Sequence, residues 1–317
     1  MRAAVLVEPG KIEIREVKRP NPEGNEVLIR VESCGVCASN VAPFEGRPWY
    51  SYPFEPGAPG HEACGRIVAL GKSVTGWQLG NRIAFLSGHG FAEYDVAKTD
   101  TIVALPPEFD RDQVPAEPMG CVMNIFRRSE IQPGMTVAVV GIGFLGTLLI
   151  QLATAHGSRV LAFGRRSFAL GLARKAGAAE ALRLGDPTVA IDQVDALTQG
   201  RLCEVVIEAT GKQEALDFAS QITGIRGRLV IAGYHQDESR KINLRLWNWR
   251  GLDVINAHER DPAISVRGIR EAIAAMQSGV LDPRPLLTHV VPLDRLAEAL
   301  VLTRDRPEGF MKAVVAF

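Results

Sequence analysis

The chain has 317 residues, enough for two domains that each bury a core. Hydrophobic residues make up 46% and charged residues 23%, with 36 basic side chains against 36 acidic ones. This is the composition of a globular protein, and its neutral balance offers no bulk attraction for nucleic acid or an acidic membrane surface.

The first residues, MRAAVLVEPGKIEIREV, alternate in the manner of strands and lack the basic-then-apolar order of a secretory signal. Up to about residue 110 the texture stays strand-like and turn-rich. AAVLVE, KIEIREV, EVLIRVES, GRIVALG, NRIAFLS and FAEYDVA are separated by RPNPEGN and YPFEPGAPG. That pattern predicts a mostly antiparallel β domain. From Pro133 strands and helices alternate: TVAVVGIG, FLGTLLIQLATAHG, RVLAFG, ALGLARKAGA, EVVIEATG, EALDFASQIT and RLVIAG. Such alternation predicts a doubly wound parallel sheet, and so an α/β protein. SVRGIREAIAAMQSG then reads as an amphipathic helix, and THVVPL and GFMKAVVAF return to strand texture that is expected to rejoin the first domain. The expected boundaries are 1–122, 123–262 and 263–317.

Val137 to Ala153 is apolar over nearly a membrane-spanning length, but it holds glycines in G-x-G-x-x-G order and so reads as a buried strand, turn and helix. The five cysteines, Cys34, Cys37, Cys64, Cys121 and Cys203, are odd in number and come without a secretion signal. A disulfide framework is therefore not expected, and the cytoplasm is the expected location.

Gly141, Gly143 and Gly146, with Phe144 and Leu145 between the last two, follow a strand and open a helix. The first glycine permits a tight turn, the second close approach of a pyrophosphate, and the third close packing of helix on strand. Dinucleotide binding is the reading this context supports. The next strand ends in Phe163-Gly164-Arg165-Arg166, without the carboxylate that commonly takes the ribose hydroxyls of NAD. Gly164 leaves room and Arg165 and Arg166 supply charge for a 2′-phosphate, so NADP(H) is expected in preference to NAD(H). Arg165 is the first choice, because it directly follows the glycine that replaces the usual acid. Cys37, in SCGVCASN, and His61-Glu62, in PGHEACG, supply a thiolate, an imidazole and a carboxylate, all good zinc ligands.

GVCASN, PGHEACGRIVALG, AEPMG, GIGFLG and EVVIEATG occur in the order found in the medium-chain dehydrogenase/reductase family, and the chain resembles its zinc-containing sorbitol and threonine dehydrogenase branch over essentially its whole length. The resemblance implies a GroES-like β-rich catalytic domain split around a Rossmann domain, with zinc between them. It implies hydride transfer between a secondary alcohol and a nicotinamide cofactor, and a homodimer or homotetramer. It makes Cys37 and His61 the first zinc ligands and Glu117, in AEPMG, a further ligand, directly or through water. Glu62 matches a glutamate that can coordinate or withdraw, and Ser39 the proton-relay hydroxyl. Cys121 falls at the cofactor wall, and Lys312 where some relatives have a basic residue on the pyrophosphate. Cys34, Cys64 and Cys203 match no role and are expected in the core.

Two departures carry weight. NRIAFLSGHGFAEY runs through the place where the family usually inserts a four-cysteine lobe, so one catalytic zinc and no structural zinc are expected. Asn40-Val41-Ala42 lacks the usual relay histidine, so the proton needs another exit. The substrate is expected to be a small alcohol or ketone, of polyol, cyclitol or sugar type, with Asn124, His89, Trp247 and Asn248 as polar candidates near it. The alternatives are a zinc-free NADPH-dependent quinone or enoyl reductase of the same family, against which the ligand set argues, and a nucleotide-binding protein with a dead site.

Overall fold

The computed structural model describes all 317 residues. The N-terminal third carries β1 (Arg2–Glu8), β2 (Lys11–Glu16), β3 (Glu26–Gly35), α1 (Val41–Glu45), β4 (Glu62–Leu70), β5 (Arg82–Phe85), β6 (Tyr94–Lys98) and β7 (Ile102–Ala104). The middle runs α2 (Ala116–Ser129), β8 (Thr136–Val140), α3 (Phe144–Ala155), β9 (Arg159–Gly164), α4 (Ser167–Lys175), β10 (Glu180–Arg183), α5 (Pro187–Thr198), β11 (Cys203–Glu208), α6 (Gln213–Ile222), β12 (Thr223–Ile231), α7 (Leu244–Arg250) and β13 (Asp253–Asn256). The chain closes with α8 (Pro262–Gln277), β14 (Leu287–Pro292), α9 (Leu296–Asp305) and β15 (Lys312–Ala316).

Two compact units form. The first comprises Met1–Gly120, Asp261–Ala274 and Pro283–Phe317. Its main sheet has the order β14-β15-β3-β4-β5-β7, with β6 also on β3, and every pairing except β14–β15 is antiparallel. Ile29, Ile67, Phe85, Phe91 and Phe310 lie in its core. Arg82 is buried there and fully used: it pairs with Glu32 at 2.6 Å and donates to the carbonyls of Phe109 and Asp112. A buried guanidinium needs such partners, and these bind the sheet to the segment leading into α2.

The second unit comprises Cys121–Arg260 and Ala275–Asp282. Its six strands are all parallel, in the order β10-β9-β8-β11-β12-β13. Helices cover both faces of such a sheet, so its central strands are apolar throughout; Val137, Ala138, Val139 and Val140 are fully buried. The α/β class and the doubly wound sheet expected from the sequence are both found. The apolar run at 137–153 divides into β8 and α3, and no helix is long and apolar enough to cross a membrane.

Periodicity misses α1, α2, α5, α7 and α9. In α2, Pro118 and Gly120 interrupt the helical pattern; the proline lies in the first turn, where no backbone donor is lost. Gly120 then serves packing. A Cβ there would come within 2.8 Å of Ile269 Cγ1, and one on Gly268 within 2.5 Å of the Gly120 carbonyl oxygen, so α2 and α8 approach backbone to backbone. In α5 the signal is local: Asp186 caps the helix by accepting from the Thr188 amide at 2.8 Å.

Candidate active site

At the end of β3 the chain turns sharply through Ala38–Asn40, with Cys37 in extended conformation just before the turn. Asn40 is buried, and its side chain links two segments. Its Oδ1 accepts from the Cys37 amide at 2.9 Å and its Nδ2 donates to the Pro59 carbonyl at 2.9 Å. The same carbonyl lies 2.9 Å from His61 Nδ1. A carbonyl can only accept, so Nδ1 carries the proton on that contact and Nε2 is left to face a ligand. The sequence marked Asn40 only as a missing imidazole, yet it ties together the two segments that present Cys37 and His61.

The turn bearing His61 is seated on the short SGHG loop. Gly90 N donates to the Gly60 carbonyl at 2.8 Å and Phe91 N to the Gly57 carbonyl at 3.0 Å. A Cβ on Gly60 would come within 2.5 Å of Phe91 N, so only glycine allows this approach.

Glu62 opens β4 and is 1% exposed. Its carboxylate lies over Gly35, where a Cβ would come within 2.0 Å of Oε2. Lys312 Nζ forms an ion pair with that oxygen at 2.5 Å and also donates to the Val36 carbonyl at 3.3 Å. No hydrogen-bond donor reaches Oε1. Cys37, His61 and Glu62 offer ligand atoms that all lie within 4.8 Å of one another. A buried carboxylate oxygen without a donor, beside a thiol and an imidazole, is a donor set that can hold a cation. Glu117, in the first turn of α2, acts on His61 electrostatically, but its carboxylate is not part of that close trio.

Burial opposes a charge on His61, but the Cys37 thiolate, with Glu62 and Glu117 behind it, outweighs burial and raises its pKa to about 10. The local field thus favours a cation at this point. Ser39 is half-buried on the turn after Cys37. Cys34, Cys64 and Cys203 are buried; burial raises Cys34 well above an ordinary thiol and Cys203 to about 12. Cys121 is half-buried on α2.

Lys312 is 5% exposed, and its ammonium pairs with Glu62 inside the first unit. Two polar candidates for substrate contact have internal partners. Asn124 is buried and donates to the Ala257 carbonyl at 3.2 Å, and Trp247 donates to Ser220 Oγ at 3.0 Å while packing on the second unit's core. His89 and Asn248 are exposed.

In the second unit the glycine loop has three distinct environments. Gly141 takes φ +108°, a conformation closed to other residues. Nothing lies within 4 Å of a Cβ on Gly143, so a ligand can reach the backbone there. A Cβ on Gly146 would come within 2.0 Å of the Gly141 carbonyl oxygen, which forces glycine where α3, opening at Phe144-Leu145, meets β8. Cradle and opening fit a dinucleotide pyrophosphate. At the end of β9, Gly164 packs beneath Ile142, Arg165 is exposed and Arg166 is half-buried.

Residues 23–107 match the alcohol dehydrogenase GroES-like domain and residues 145–272 the zinc-binding dehydrogenase domain. The chain is 31% identical to an alcohol dehydrogenase of Geobacillus stearothermophilus over 74% of its own length and 77% of the relative's. The protein belongs to the zinc-type medium-chain dehydrogenase/reductases. Within this family it is 26% identical to L-galactonate-5-dehydrogenase of Escherichia coli K12, covering 100% and 99% of the two chains. It also matches a candidate zinc-binding dehydrogenase of Sinorhizobium meliloti 1021, solved bound to NADP, with TM-score 0.84, 25% identity and coverage of 100% and 99%. As a medium-chain dehydrogenase/reductase it uses a nicotinamide cofactor, and its substrates are small molecules.

Proposed function

We propose that this protein is a zinc-dependent dehydrogenase that moves a hydride between a secondary hydroxyl of a small, hydroxyl-rich alcohol and NADP(H), with NAD(H) as a poorer cofactor. Its catalytic part is the first unit and its nucleotide part the second, with residues 275–282 on the nucleotide side. The observation that carries the reading is the trio of Cys37, His61 and Glu62, with donor atoms within 4.8 Å and one buried carboxylate oxygen without a donor.

Cys37 and His61 would hold one zinc, with the carboxylate of Glu62 or Glu117 completing the site and leaving a position open. When bound, zinc supplies Lewis acidity toward a hydroxyl, and the nicotinamide supplies the hydride acceptor. Ser39 then takes the hydroxyl proton and passes it on, and Asn40 keeps the Cys37 and His61 segments in register meanwhile. Gly141, Gly143, Phe144, Leu145 and Gly146 cradle the pyrophosphate, Arg165 and Arg166 at the end of β9 meet the 2′-phosphate, and Cys121 forms part of the cofactor wall. Similarity to an L-galactonate dehydrogenase supports a hydroxylated substrate of polyol, cyclitol or sugar type. The cytoplasm, where thiols stay reduced, suits a Cys37 ligand, and the family resemblance supports a homodimer or homotetramer.

A panel of polyols, cyclitols and simple alcohols, assayed with NADP and NAD on zinc-loaded and chelated protein, tests the reading. It expects turnover that falls with chelation and returns with zinc. Reduction of quinones or enones that survives chelation would assign the protein to the zinc-free reductases instead.

A further inference from the structure

The second unit buries a charged network that the chemistry above does not use. Glu208 ends β11 with no exposed surface. Its Oε1 accepts from the Thr210 amide at 2.7 Å, the Thr210 hydroxyl at 2.5 Å and the Gly211 amide at 3.0 Å. Its Oε2 lies 2.8 Å from His235 Nε2. On the far side of the ring, Arg240 Nε donates to His235 Nδ1 at 3.0 Å. A guanidinium cannot accept, so Nδ1 is bare and the proton sits on Nε2, donated to Glu208. Arg240 also donates to the Gly211 carbonyl at 2.8 Å and pairs with Asp237.

The network reaches the glycine loop. A Cβ on Gly141 would come within 2.5 Å of Thr210 Cγ2 and 3.0 Å of the Ala209 carbonyl carbon, so Thr210, held by Glu208, backs the first glycine of the cradle. The segment after β12 is locked to the same place, since Ala232 N and Gly233 N both donate to the Glu208 carbonyl at 2.8 Å. These segments leave the carboxyl ends of adjacent parallel strands, where open α/β sheets bind their ligands. One imidazole therefore fixes the carboxylate that fixes the support of the pyrophosphate loop.

We propose that His235, set in its Nε2–H tautomer by Arg240, is a positioning residue for the nicotinamide cofactor and acts through Glu208 and Thr210 on the loop at 141–146. This rests on the reading that the loop binds NAD(P). Replacing His235 with alanine takes a hydrogen bond from a buried carboxylate and frees the loop to shift. Glutamine restores both ends of the contact, since its amide can donate to Glu208 and its carbonyl can accept from Arg240.

The test uses the zinc-loaded full chain and measures dissociation constants for NADPH and NADH by tryptophan fluorescence, with zinc content, thermal midpoint and kcat at saturating cofactor alongside. His235→Ala is expected to weaken cofactor binding by about tenfold or more, the worth of one hydrogen bond to a buried charge, with zinc content and saturated kcat unchanged. His235→Gln is expected to return to within about threefold of the parent. Arg240→Leu, which removes the donor that sets the tautomer, should also weaken binding and serves as the test where the alanine variant does not fold. Unchanged affinity in His235→Ala or, where that variant does not fold, in Arg240→Leu overturns the proposal, as does glutamine performing no better than alanine. Failure of the parent protein to bind either cofactor would instead overturn the underlying function.

Discussion

The metal trio of the first unit and the glycine loop of the second are built by opposite means. The loop is made by backbone: three glycines within six residues give a turn, an opening and a close packing contact, and no side chain is asked to carry charge. The trio is made by side chains brought from separate segments, and each is held by a further residue. Asn40 and the Pro59 carbonyl set Cys37 and His61, while Lys312 answers Glu62. A site built from backbone takes its shape from its own glycines, with Thr210 and Glu208 as support behind it, whereas a site built from balanced charges depends on every member.

That contrast predicts where the molecule breaks. The largest effect belongs to Cys37→Ala, which removes the thiolate from the half-buried trio. Zinc content and turnover should both vanish while circular dichroism keeps the parent spectrum. A variant that keeps its zinc would show that the carboxylates and His61 suffice.

Ser39→Ala comes next. A relay hydroxyl acts in proton transfer, so turnover should fall on the order of 100-fold while the Michaelis constant changes little. A solvent isotope effect would show whether the proton step is rate-limiting. Unchanged turnover under that condition would route the proton elsewhere, a question the absent relay histidine makes sharp.

The backbone-built site should yield more gently, through its rim. The end of β9 carries no acid, and one charge-assisted hydrogen bond to a 2′-phosphate is worth about 1.5–3 kcal/mol, a preference of about ten- to a hundredfold for NADP(H). Arg165, exposed and directly after Gly164, is the first choice to make it; Arg166 is half-buried at the start of α4. A Gly164→Asp, Arg165→Ala variant should reverse the ratio of catalytic efficiencies. A Cβ at 164 meets the Ile142 side chain, with Cδ1 at 2.9 Å and Cγ1 at 3.3 Å, so the exchange requires that side chain to turn aside. A wild type that favours NAD(H) would make both arginines surface charges, and a variant that keeps the NADP(H) preference would move the phosphate site elsewhere on the unit.

How much of this was legible in sequence follows the same division. The cofactor loop could be read directly, because its three glycines are contiguous and each answers a backbone requirement. Cys37, His61 and Glu62 could be named as ligand types, but only the family resemblance joined them. The structural contacts of Asn40 and Lys312 could not be read because their partners lie far along the chain: Pro59 is 19 residues from Asn40, and Lys312 donates to a carbonyl 276 residues away. Burial decides their roles, and neighbouring residues carry no sign of it. The same holds for Asn124 and Trp247, polar groups whose partners are internal.

A further effect is one of pH. His61 titrates near 10 in the metal-free protein, above the ordinary histidine value of 6.5. A raised pKa means that the proton stabilises the fold fully below about 6.5, and that this contribution is lost as pH rises through about 10. Zinc must displace that proton, so its affinity for the apoprotein should climb by about tenfold per pH unit up to that point. Zinc affinity independent of pH between 6.5 and 9.5 would place the metal away from His61.

The most direct measurement is elemental analysis of protein purified without chelators, paired with the activity of the same sample. The account predicts one zinc per chain, lost together with turnover in Cys37→Ala. Two zincs per chain, or none with activity intact, would contradict it.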